Sequence, residues 1–314
     1  MHTEIGGYFS LECGHKSQYH KDVVMLNSGR NALRYVIRAY NINEMYVPIY
    51  TCPVIWEAIS SEDCKIIPYD IDANFMPIGN IPDNAFVLYN NYFGVCGKNV
   101  DKLAKKYTNL IVDNAQAFYV KNKGIASIYS PRKFFGVPDG GLVICKKRLN
   151  DIFDTDISYD SCMHLLKRVD LGANAGYSDF LKNENALMER YIKQISLLTK
   201  AIMGNIDYDF ARRQRIKNFK ELHTVLAKYN GIQIDMAKDD VPMVYPFRTE
   251  NVRLYKHLID NNVFVAKYWS METDGCMDSV RAQCMANTII PLPIDQRYDQ
   301  KDMKKILKIM EEYK

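Results

Sequence analysis

The stretch IASIYSPRKFFGVPDGG, residues 125–141, indicates both the end of a strand and a reactive amine. Its lysine, Lys133, lies between an apolar approach and a pair of glycines, Gly140 and Gly141. The apolar run LVIC that follows is typical of a buried strand. Because its neighbours are apolar, Lys133 is predicted to be a buried amine, although a lone lysine is most often solvated. The glycine pair fits a plain turn, and it would also let the backbone approach a flat cofactor closely.

A carboxylate, Asp113, follows an apolar run in the segment NLIVDNAQAF. A lysine and an aspartate that each follow an inner strand point to pyridoxal 5'-phosphate. The lysine amine can bind the cofactor aldehyde, and the aspartate can keep the pyridine nitrogen protonated. The competing interpretation is that Asp113 caps a helix that starts at Asn114.

A second candidate site lies in VVMLNSGRNALRYVIRAY, residues 23–40. A short apolar run is followed by the turn Asn27, Ser28, Gly29, and then by apolar residues at helical spacing. This strand–turn–helix pattern places free backbone N–H groups at a helix N-terminus, where phosphate binds well. An ordinary N-cap by Asn27 or Ser28 explains the same residues.

The following segments alternate between strand and helix. Strands are predicted at residues 44–50, 64–69, 85–89 and 110–112, and helices at 52–61 and 100–107. Short apolar strands separated by helices predict an α/β fold with a mostly parallel central sheet flanked by helices. Ligands of such sheets bind beyond the carboxyl ends of the strands, where Ser28, Tyr92 and Asp113 are expected.

The C-terminal part has a different pattern. Long amphipathic helices are predicted at 179–203 and 209–229, followed by a smaller α/β part with apolar segments at 241–247 and 263–269. A length of 314 residues is enough for two domains, predicted at 1–205 (large) and 206–314 (small). The basic run ARRQRIK (211–217) is interpreted as a solvated helix face, since no aromatic residues interleave it.

Composition narrows the classes of function. The net charge of +4 arises from 41 basic and 37 acidic residues, which gives no case for nucleic-acid or membrane binding. No secretory signal and no run of roughly 20 apolar residues is present. The eight cysteines form no CxxC pair, and several lie in apolar runs, so a cytoplasmic protein with reduced thiols is expected. No metal site is expected, because His15 and His20 lack further ligands at a suitable spacing.

Several segments, in order, resemble the DegT/DnrJ/EryC1/StrS group of pyridoxal-phosphate sugar aminotransferases, which have the fold-type I architecture with a smaller C-terminal domain. The matching segments are LNSGRNAL (26–33, the phosphate turn SGTxAL), YVPIYTCPVIWEAI (46–59), PYDID (68–72), VDNAQAF (112–118, DxAQA), SPRKFFGVPDGG (130–141, KNLGxxGDGG), LGANAGYSDF (171–180, GYNYRMSDL) and residues 289–310 (the LPLP strand and terminal helix).

The resemblance implies roles for individual residues. Lys133 would carry the cofactor and shuttle the proton between substrate and cofactor. Asp113 would pair with the pyridinium nitrogen, and Gln116 would lie near the ring and its phenolic oxygen. Ser28 and Gly29 would bind the phosphate.

Two further contacts are implied beyond this set. A serine ahead of the lysine would add a phosphate contact, with Ser127 the better candidate and Ser130 the alternative. Asn174 matches an asparagine that reaches the cofactor of the neighbouring subunit, which implies a homodimer with shared active sites.

The sequence also departs from the family pattern. Arg30 replaces a threonine and could bind a phosphate or a substrate carboxylate. Cys52 stands where many relatives have a ring that stacks on the cofactor, and Tyr92 or Phe93 could supply that ring instead. In the segment 171–180, Ala173, Ala175 and Gly176 replace Tyr, Tyr and Arg, so the substrate pocket is expected to differ.

By resemblance, the chain is expected to transfer an amino group from an amino acid, glutamate first, to a nucleotide-linked keto-sugar in amino-sugar or surface-polysaccharide biosynthesis. Two alternatives remain open. One is another pyridoxal-phosphate reaction on a sugar, such as dehydration, although the family's dehydratases replace the lysine that is retained here. The other is a non-catalytic relative that acts as a binding or regulatory protein, which the altered segment 173–176 keeps open.

Overall fold

An eight-stranded sheet forms the centre of the N-terminal part. The computed structural model describes residues 5, 7–14, 17–188, 190–269 and 279–312. The strands are β1 (Val24–Leu26), β2 (Glu44–Pro48), β3 (Lys65–Ile71), β4 (Pro77–Ile78), β5 (Phe86–Asn90), β6 (Asn109–Asp113), β7 (Ala126–Tyr129) and β8 (Gly141–Cys145). The strands predicted from the apolar runs are thus confirmed, with shifts of a residue or two at their ends.

The order across the sheet is β1-β8-β7-β6-β5-β2-β3-β4. Strands β3, β2, β5, β6 and β7 run parallel, whereas β8 is antiparallel to both β7 and β1, and β4 to β3. The inner strands are buried on both faces, which is why they read as continuous apolar runs. The prediction of a mostly parallel sheet flanked by helices is confirmed.

Three helices connect the parallel strands: α1 (Gly29–Tyr40), α2 (Pro53–Ser60) and α3 (Gly97–Lys106). Helix α1 buries Ala32, Leu33, Val36 and Ile37 against β7 and β8, as its apolar spacing predicts. Helix α2 begins with a proline at its first turn, where the missing N–H costs nothing.

The predicted single helix over 179–203 is wrong. The chain forms α4 (Met163–Leu171), α5 (Tyr177–Met188) and α6 (Leu197–Met203), with an extended segment before α6. In this segment Lys193 accepts a hydrogen bond from Asn27 N (3.0 Å), and Ile195 N donates to Met25 O (3.1 Å). The segment follows the edge of β1, a long-range pairing that helical periodicity does not reveal.

The C-terminal part contains α7 (Tyr208–Leu226), β9 (Val244–Arg248), α8 (Arg253–Asp260), α9 (Val280–Thr288), β10 (Ile289–Pro293) and α10 (Gln300–Glu311). Strands β9 and β10 form a two-stranded antiparallel sheet. Residues 263–269 form no strand. There Val263 N donates to Leu258 O and Tyr255 Oη to Val265 O, so the segment is held by α8. The domain boundary near residue 205 stays a prediction.

The basic run on α7 is only partly a solvated face. Arg213 and Lys217 are exposed, as predicted, but Arg215 is fully buried. None of the described helices combines the length and the apolar composition that a bilayer crossing requires.

One histidine of the N-terminal segment, His20, is packed into the interior. His20 is buried, its Nε2 lies 2.6 Å from Phe118 O, and its ring lies 4.2 Å from that of Tyr129. Packing therefore accounts for His20, whereas His15 lies outside the described residues.

Candidate functional site

Polar side chains end two adjacent parallel strands at the same edge of the sheet. Asn90 of β5 pairs in register with Asp113 of β6, which pairs with Ile128 of β7. Asp113 Oδ1 accepts a hydrogen bond from Ala115 N (2.8 Å). This bond closes a turn and not a helix, because residues 114–120 contain no helix. The helix-cap interpretation of Asp113 is therefore wrong.

Lys133 lies beyond the end of β7, on a short 3₁₀ helix, Pro131–Lys133. Burial raises the pKa of Asp113, and the charge of Lys133 and the Ala115 N–H oppose that rise. The charge of Lys133 thus acts on the carboxylate of Asp113, and the two predicted residues lie at the same edge of the sheet. The prediction of a buried Lys133 is wrong for the single chain, where it is exposed. The adjacent Phe134 and Phe135 take the buried positions and leave the lysine turned outward.

The N-terminus of α1 lies against the glycine pair. Ser28 caps the helix with its Oγ, which accepts from Asn31 N (3.1 Å). Gly140 N donates to Asn27 O (2.9 Å), and Ser28 forms a bridge with Gly140. A Cβ on Gly141 would lie 2.6 Å from Gly29 N and closer still to the carbonyl group of Ser28. Only glycine at 141 lets β8 approach the turn this closely.

The residue before the pair, Asp139, anchors this arrangement. Its buried carboxylate accepts hydrogen bonds from Ser196 N and Ser196 Oγ, both 2.9 Å, and from Thr199 Oγ1. Burial raises the pKa of Asp139, and these donors oppose the rise. The contacts tie the glycine pair to the start of α6.

The two candidate phosphate serines lie at different heights along the sheet. Ser127, within β7, pairs with Ile144 of β8. Its Oγ accepts from Lys123 N and donates to Lys123 O, each at 3.3 Å. Ser130 follows Tyr129, the last residue of β7, and its Cβ would lie 3.9 Å from a Cβ on Gly29. Three residues of strand separate the serines by roughly 10 Å. The structure thus places Ser130, and not Ser127, beside the N-terminus of α1.

Gln116 lies near Asp113 with one end of its amide fixed. Its Oε1 accepts from Phe93 N (2.7 Å), whereas its buried Nε2 has no partner within the described residues. Phe93 adopts a left-handed backbone (φ 56°), unusual for a bulky residue, that this bond helps to hold. The amide therefore keeps one buried donor without a partner in this part of the chain.

Arg30 makes contacts away from the glycine pair. Its guanidinium donates to Leu187 O on α5 (3.1 Å) and to Glu57 Oε2 on α2 (3.2 Å). These partners account for its charge, and the structure gives no support to a phosphate contact by Arg30.

Tyr92 lies inside the core and not at the open edge. It is fully buried, its ring stacks on those of Tyr50 (5.7 Å) and Phe75 (5.1 Å), and its Oη donates to Tyr50 O (3.0 Å). Trp269 packs edge-on against Tyr50 and Tyr92. The structure therefore does not support Tyr92 as a ring that stacks on a ligand, and Phe93 is equally buried.

Asn174 is exposed, in the turn between α4 and α5. The two helices beside it carry many exposed apolar side chains, and no residue of α4 is buried. Its exposed large residues are Met163, Leu166, Val169, Leu171, Tyr177, Phe180, Leu181 and Met188, with Ile157, Tyr159 and Tyr191 in flanking segments. We call these residues the α4–α5 face.

The sequence motifs did not point to Asn90, which ends β5 at the same edge of the sheet as Asp113. Asn90 donates from Nδ2 to Thr51 Oγ1 (2.8 Å), and its buried Oδ1 has no hydrogen-bond partner in the described part of the chain. The asparagine pair that follows the strand FVLY was the available signal. Cys52, partly exposed, lies between Thr51 and the start of α2.

No protein-family model and no curated protein matches this sequence. Solved structures do match it over nearly its whole length. DesV of S. venezuelae, solved with a ketimine intermediate, is 18% identical with a TM-score of 0.60 over 93% of this chain and 84% of its own. A DegT/DnrJ/EryC1/StrS aminotransferase of Brucella abortus is 14% identical, with a TM-score of 0.60 over 93% and 86%. NtdA of Bacillus subtilis, with bound PMP, is 13% identical, with a TM-score of 0.66 over 93% and 74%.

At sequence identities of 13–18%, similarity to these structures is evidence about the fold alone. The eight-stranded central sheet flanked by helices matches these structures over more than nine tenths of the chain, 93% in each case. The chain therefore has the fold-type I aminotransferase fold, as its sequence predicts.

Proposed function

We propose that this chain is a pyridoxal-phosphate-dependent aminotransferase. The observation that carries the proposal is the position of Lys133, which acts electrostatically on Asp113 at the sheet edge that also holds the N-terminus of α1. Several neighbours in structure are sugar aminotransferases, and some contain PLP or PMP. Fold and side chains thus point to the same class of reaction.

The side chains fit the cofactor group by group. Asp113 uses Oδ1 within the protein, and Oδ2 has no hydrogen-bond partner among the described residues, so it is available for the ring nitrogen. The unpaired Nε2 of Gln116 suits the phenolic oxygen. The N–H groups at the start of α1, with Ser28 and Ser130, suit the phosphate.

When bound, pyridoxal phosphate withdraws electrons from the amino-bearing carbon of the donor, which makes its proton removable. Lys133 Nζ is the group proposed to remove that proton and return it, since its charge acts on Asp113 at the same edge of the sheet. Asp113 must then stay ionised, although burial raises its pKa. The cation at the ring nitrogen would offset that burial.

For substrates we propose an amino acid, glutamate first, as donor and a nucleotide-linked keto-sugar as acceptor, in amino-sugar or surface-polysaccharide biosynthesis. The support is the family resemblance together with the sugar aminotransferases among the structural neighbours. The cytoplasm stays the predicted compartment, from the use of cysteine.

We further propose a homodimer that covers the α4–α5 face. Many exposed apolar side chains on two neighbouring helices are typical of an interaction surface. Val169 is 84% exposed and Leu171 70% exposed on a helix with no buried residue. Asn174 lies within this face, so a second copy placed there would bring its Asn174 toward the neighbouring site.

Packing accounts for one departure from the family. A Cβ on Gly176 would lie 2.7 Å from His164 O, so α4 and α5 pack too closely for an arginine at this position. The contact between α4 and α5 in this chain thus explains why no arginine stands here, and its absence is not in itself a sign of lost activity. A non-catalytic role is separated from catalysis by the experiment below.

The experiment is to purify the protein with pyridoxal phosphate, reduce it with borohydride and map the modified residue by mass spectrometry, with Lys133→Arg as the matched control. We expect the adduct on Lys133 only. Glutamate should then convert the cofactor to its amino form, and keto-sugar nucleotides should reverse the change. An unmodified Lys133 overturns the proposal, cofactor uptake without transfer favours a binding protein, and an unaminated product indicates dehydration.

A further inference from the structure

The carbonyl group directly after Lys133 is held by two side chains of the C-terminal part. Phe134 O accepts from Gln296 Nε2 (2.8 Å) and from Arg215 Nη2 (3.3 Å). Arg215 Nε in turn donates to Gln296 Oε1 (2.9 Å), so the two donors orient each other. The Arg215 guanidinium also lies 4.5 Å from the centre of the Phe134 ring. Both the backbone and the ring of Phe134 are thus fixed.

Arg215 is an unusual residue for this position. It is 2% exposed, and its hydrogen bonds within the described chain go to carbonyl oxygens and to an amide. Burial lowers its pKa to about 10, with Asp295 opposing, so the group stays cationic at neutral pH. Because a buried charge costs stability, an apolar side chain of similar volume would often serve packing equally well. The guanidinium is therefore better explained by what it holds.

The same arginine connects Phe134 to Gln116. Arg215 Nη1 donates to Met243 O (2.9 Å), Met243 N donates to Phe93 O (2.9 Å), and Phe93 N donates to Gln116 Oε1 (2.7 Å). One end of this chain of hydrogen bonds is next to Lys133, and the other is the amide proposed to bind the cofactor ring. The C-terminal part thus supports both ends of the site.

We propose that Arg215, with Gln296, is a positioning residue that sets the place of Lys133 relative to Asp113 and Gln116. This inference rests on the proposed function. A proton is transferred efficiently only from a correctly placed amine, and a misplacement of about 1 Å can lower a rate about 100-fold. The loss should therefore affect the proton-transfer rate more than substrate binding.

The test compares Arg215→Met, Arg215→Lys and Gln296→Leu with Arg213→Met, an exposed arginine of the same helix. The readouts are the thermal midpoint, the rate at which pyridoxal phosphate becomes borohydride-trappable on Lys133, the pH midpoint of the cofactor absorbance, and the saturating rate and half-saturation concentration of the glutamate half-reaction.

We expect Arg215→Met to stay folded, to load the cofactor at least about 10-fold more slowly, to shift the absorbance midpoint, and to lower the saturating rate about 10- to 100-fold. The half-saturation concentration should change less than the rate. Gln296→Leu should show the same changes to a smaller degree. Arg215→Lys should lose less in each of these measurements than Arg215→Met does, and Arg213→Met should match wild type.

The outcomes separate this inference from the proposed function. If wild type loads cofactor and Arg215→Met and Gln296→Leu match it in loading rate, absorbance midpoint and saturating rate, the positioning role is overturned and the function stands. If Arg215→Met does not fold, Gln296→Leu decides in the same way. If wild type itself does not load cofactor on Lys133, the proposed function fails and this inference with it.

Discussion

Replacing Gly141 by alanine should weaken cofactor binding without unfolding the sheet. The added Cβ would lie 2.6 Å from Gly29 N, whereas comfortable contacts between heavy atoms are about 3.5–4.0 Å. The atoms in its way are backbone, so no side-chain rotation relieves the overlap. Because the carbonyl group of Ser28 would lie closer still, the turn at Ser28 and Gly29 must move away from β8 by more than about 1 Å.

The size of the effect follows from the cost of overpacking, about 1–3 kcal/mol. If the strain falls on the turn that binds the phosphate, the dissociation constant of pyridoxal phosphate should rise about 5-fold to about 150-fold, at about 1.4 kcal/mol per factor of ten. Titration of cofactor-free protein, followed by absorbance, measures this constant.

Gly136→Ala is the matched control, since it adds the same atom close to Lys133. Within the part of the chain that the structure describes, the Cβ there would meet only Leu165 Cδ2, at an ordinary 3.7 Å. We expect its affinity for the cofactor to equal that of wild type. The reasoning is refuted if folded Gly141→Ala binds pyridoxal phosphate as tightly as wild type and Gly136→Ala do.

Three other predictions concern charge and surface. Asp113→Asn should slow the glutamate half-reaction about 10- to 1000-fold, because the Asp113 carboxylate should raise the pKa of the cofactor ring nitrogen by about 1–3 units. Stopped-flow absorbance measures this rate, and an unchanged value would contradict the role of Asp113. Burial raises the pKa of the Asp240 carboxyl group from 3.8 to about 6. The folded state therefore binds the proton of this group more tightly than the unfolded state does, and the protein loses stability as the pH rises between these two values. Asp240→Asn should remove that loss, worth up to about 3 kcal/mol, in urea unfolding from pH 4 to pH 7, and an unchanged pH dependence would count against it. Val169→Glu should raise the dimer dissociation constant at least about tenfold in analytical ultracentrifugation, while Val280→Glu, 83% exposed against 84%, should leave it unchanged; equal effects would remove the α4–α5 face as the interface.

The fold was predictable because its signals are local. Inner parallel strands are buried on both faces and read as apolar runs, and helices show their own period. The position of Asp113 at the end of β6 followed from the same runs, since the carboxyl ends of parallel strands share an edge. The inner strands and the candidate edge were therefore accessible from residues alone, whereas the extended segment before α6 was not.

Choices between neighbouring residues were not accessible in this way. Ser127 and Ser130 both precede Lys133, and only the register of β7 with β8 shows which one reaches the turn at Gly29. The predicted burial of Lys133 was wrong for a similar reason: its apolar neighbours occupy the core themselves and turn the amine outward. Sequence neighbours describe an environment only where the geometry of the backbone is known.

Tyr92 and Arg215 show the same limit in opposite directions. An aromatic residue at the end of a strand is a reasonable ligand contact, yet the hydroxyl and ring of Tyr92 are taken by Tyr50 and Phe75. A basic run on a helix is reasonably read as solvated, yet Arg215 is drawn inward by the carbonyl oxygens it binds. In both cases the contacting residues are distant in sequence. Buried polar groups need hydrogen-bond partners, and this requirement determines where Tyr92 and Arg215 lie. Residue type therefore predicts which chemistry is present, whereas long-range hydrogen bonds determine which side chains reach the site.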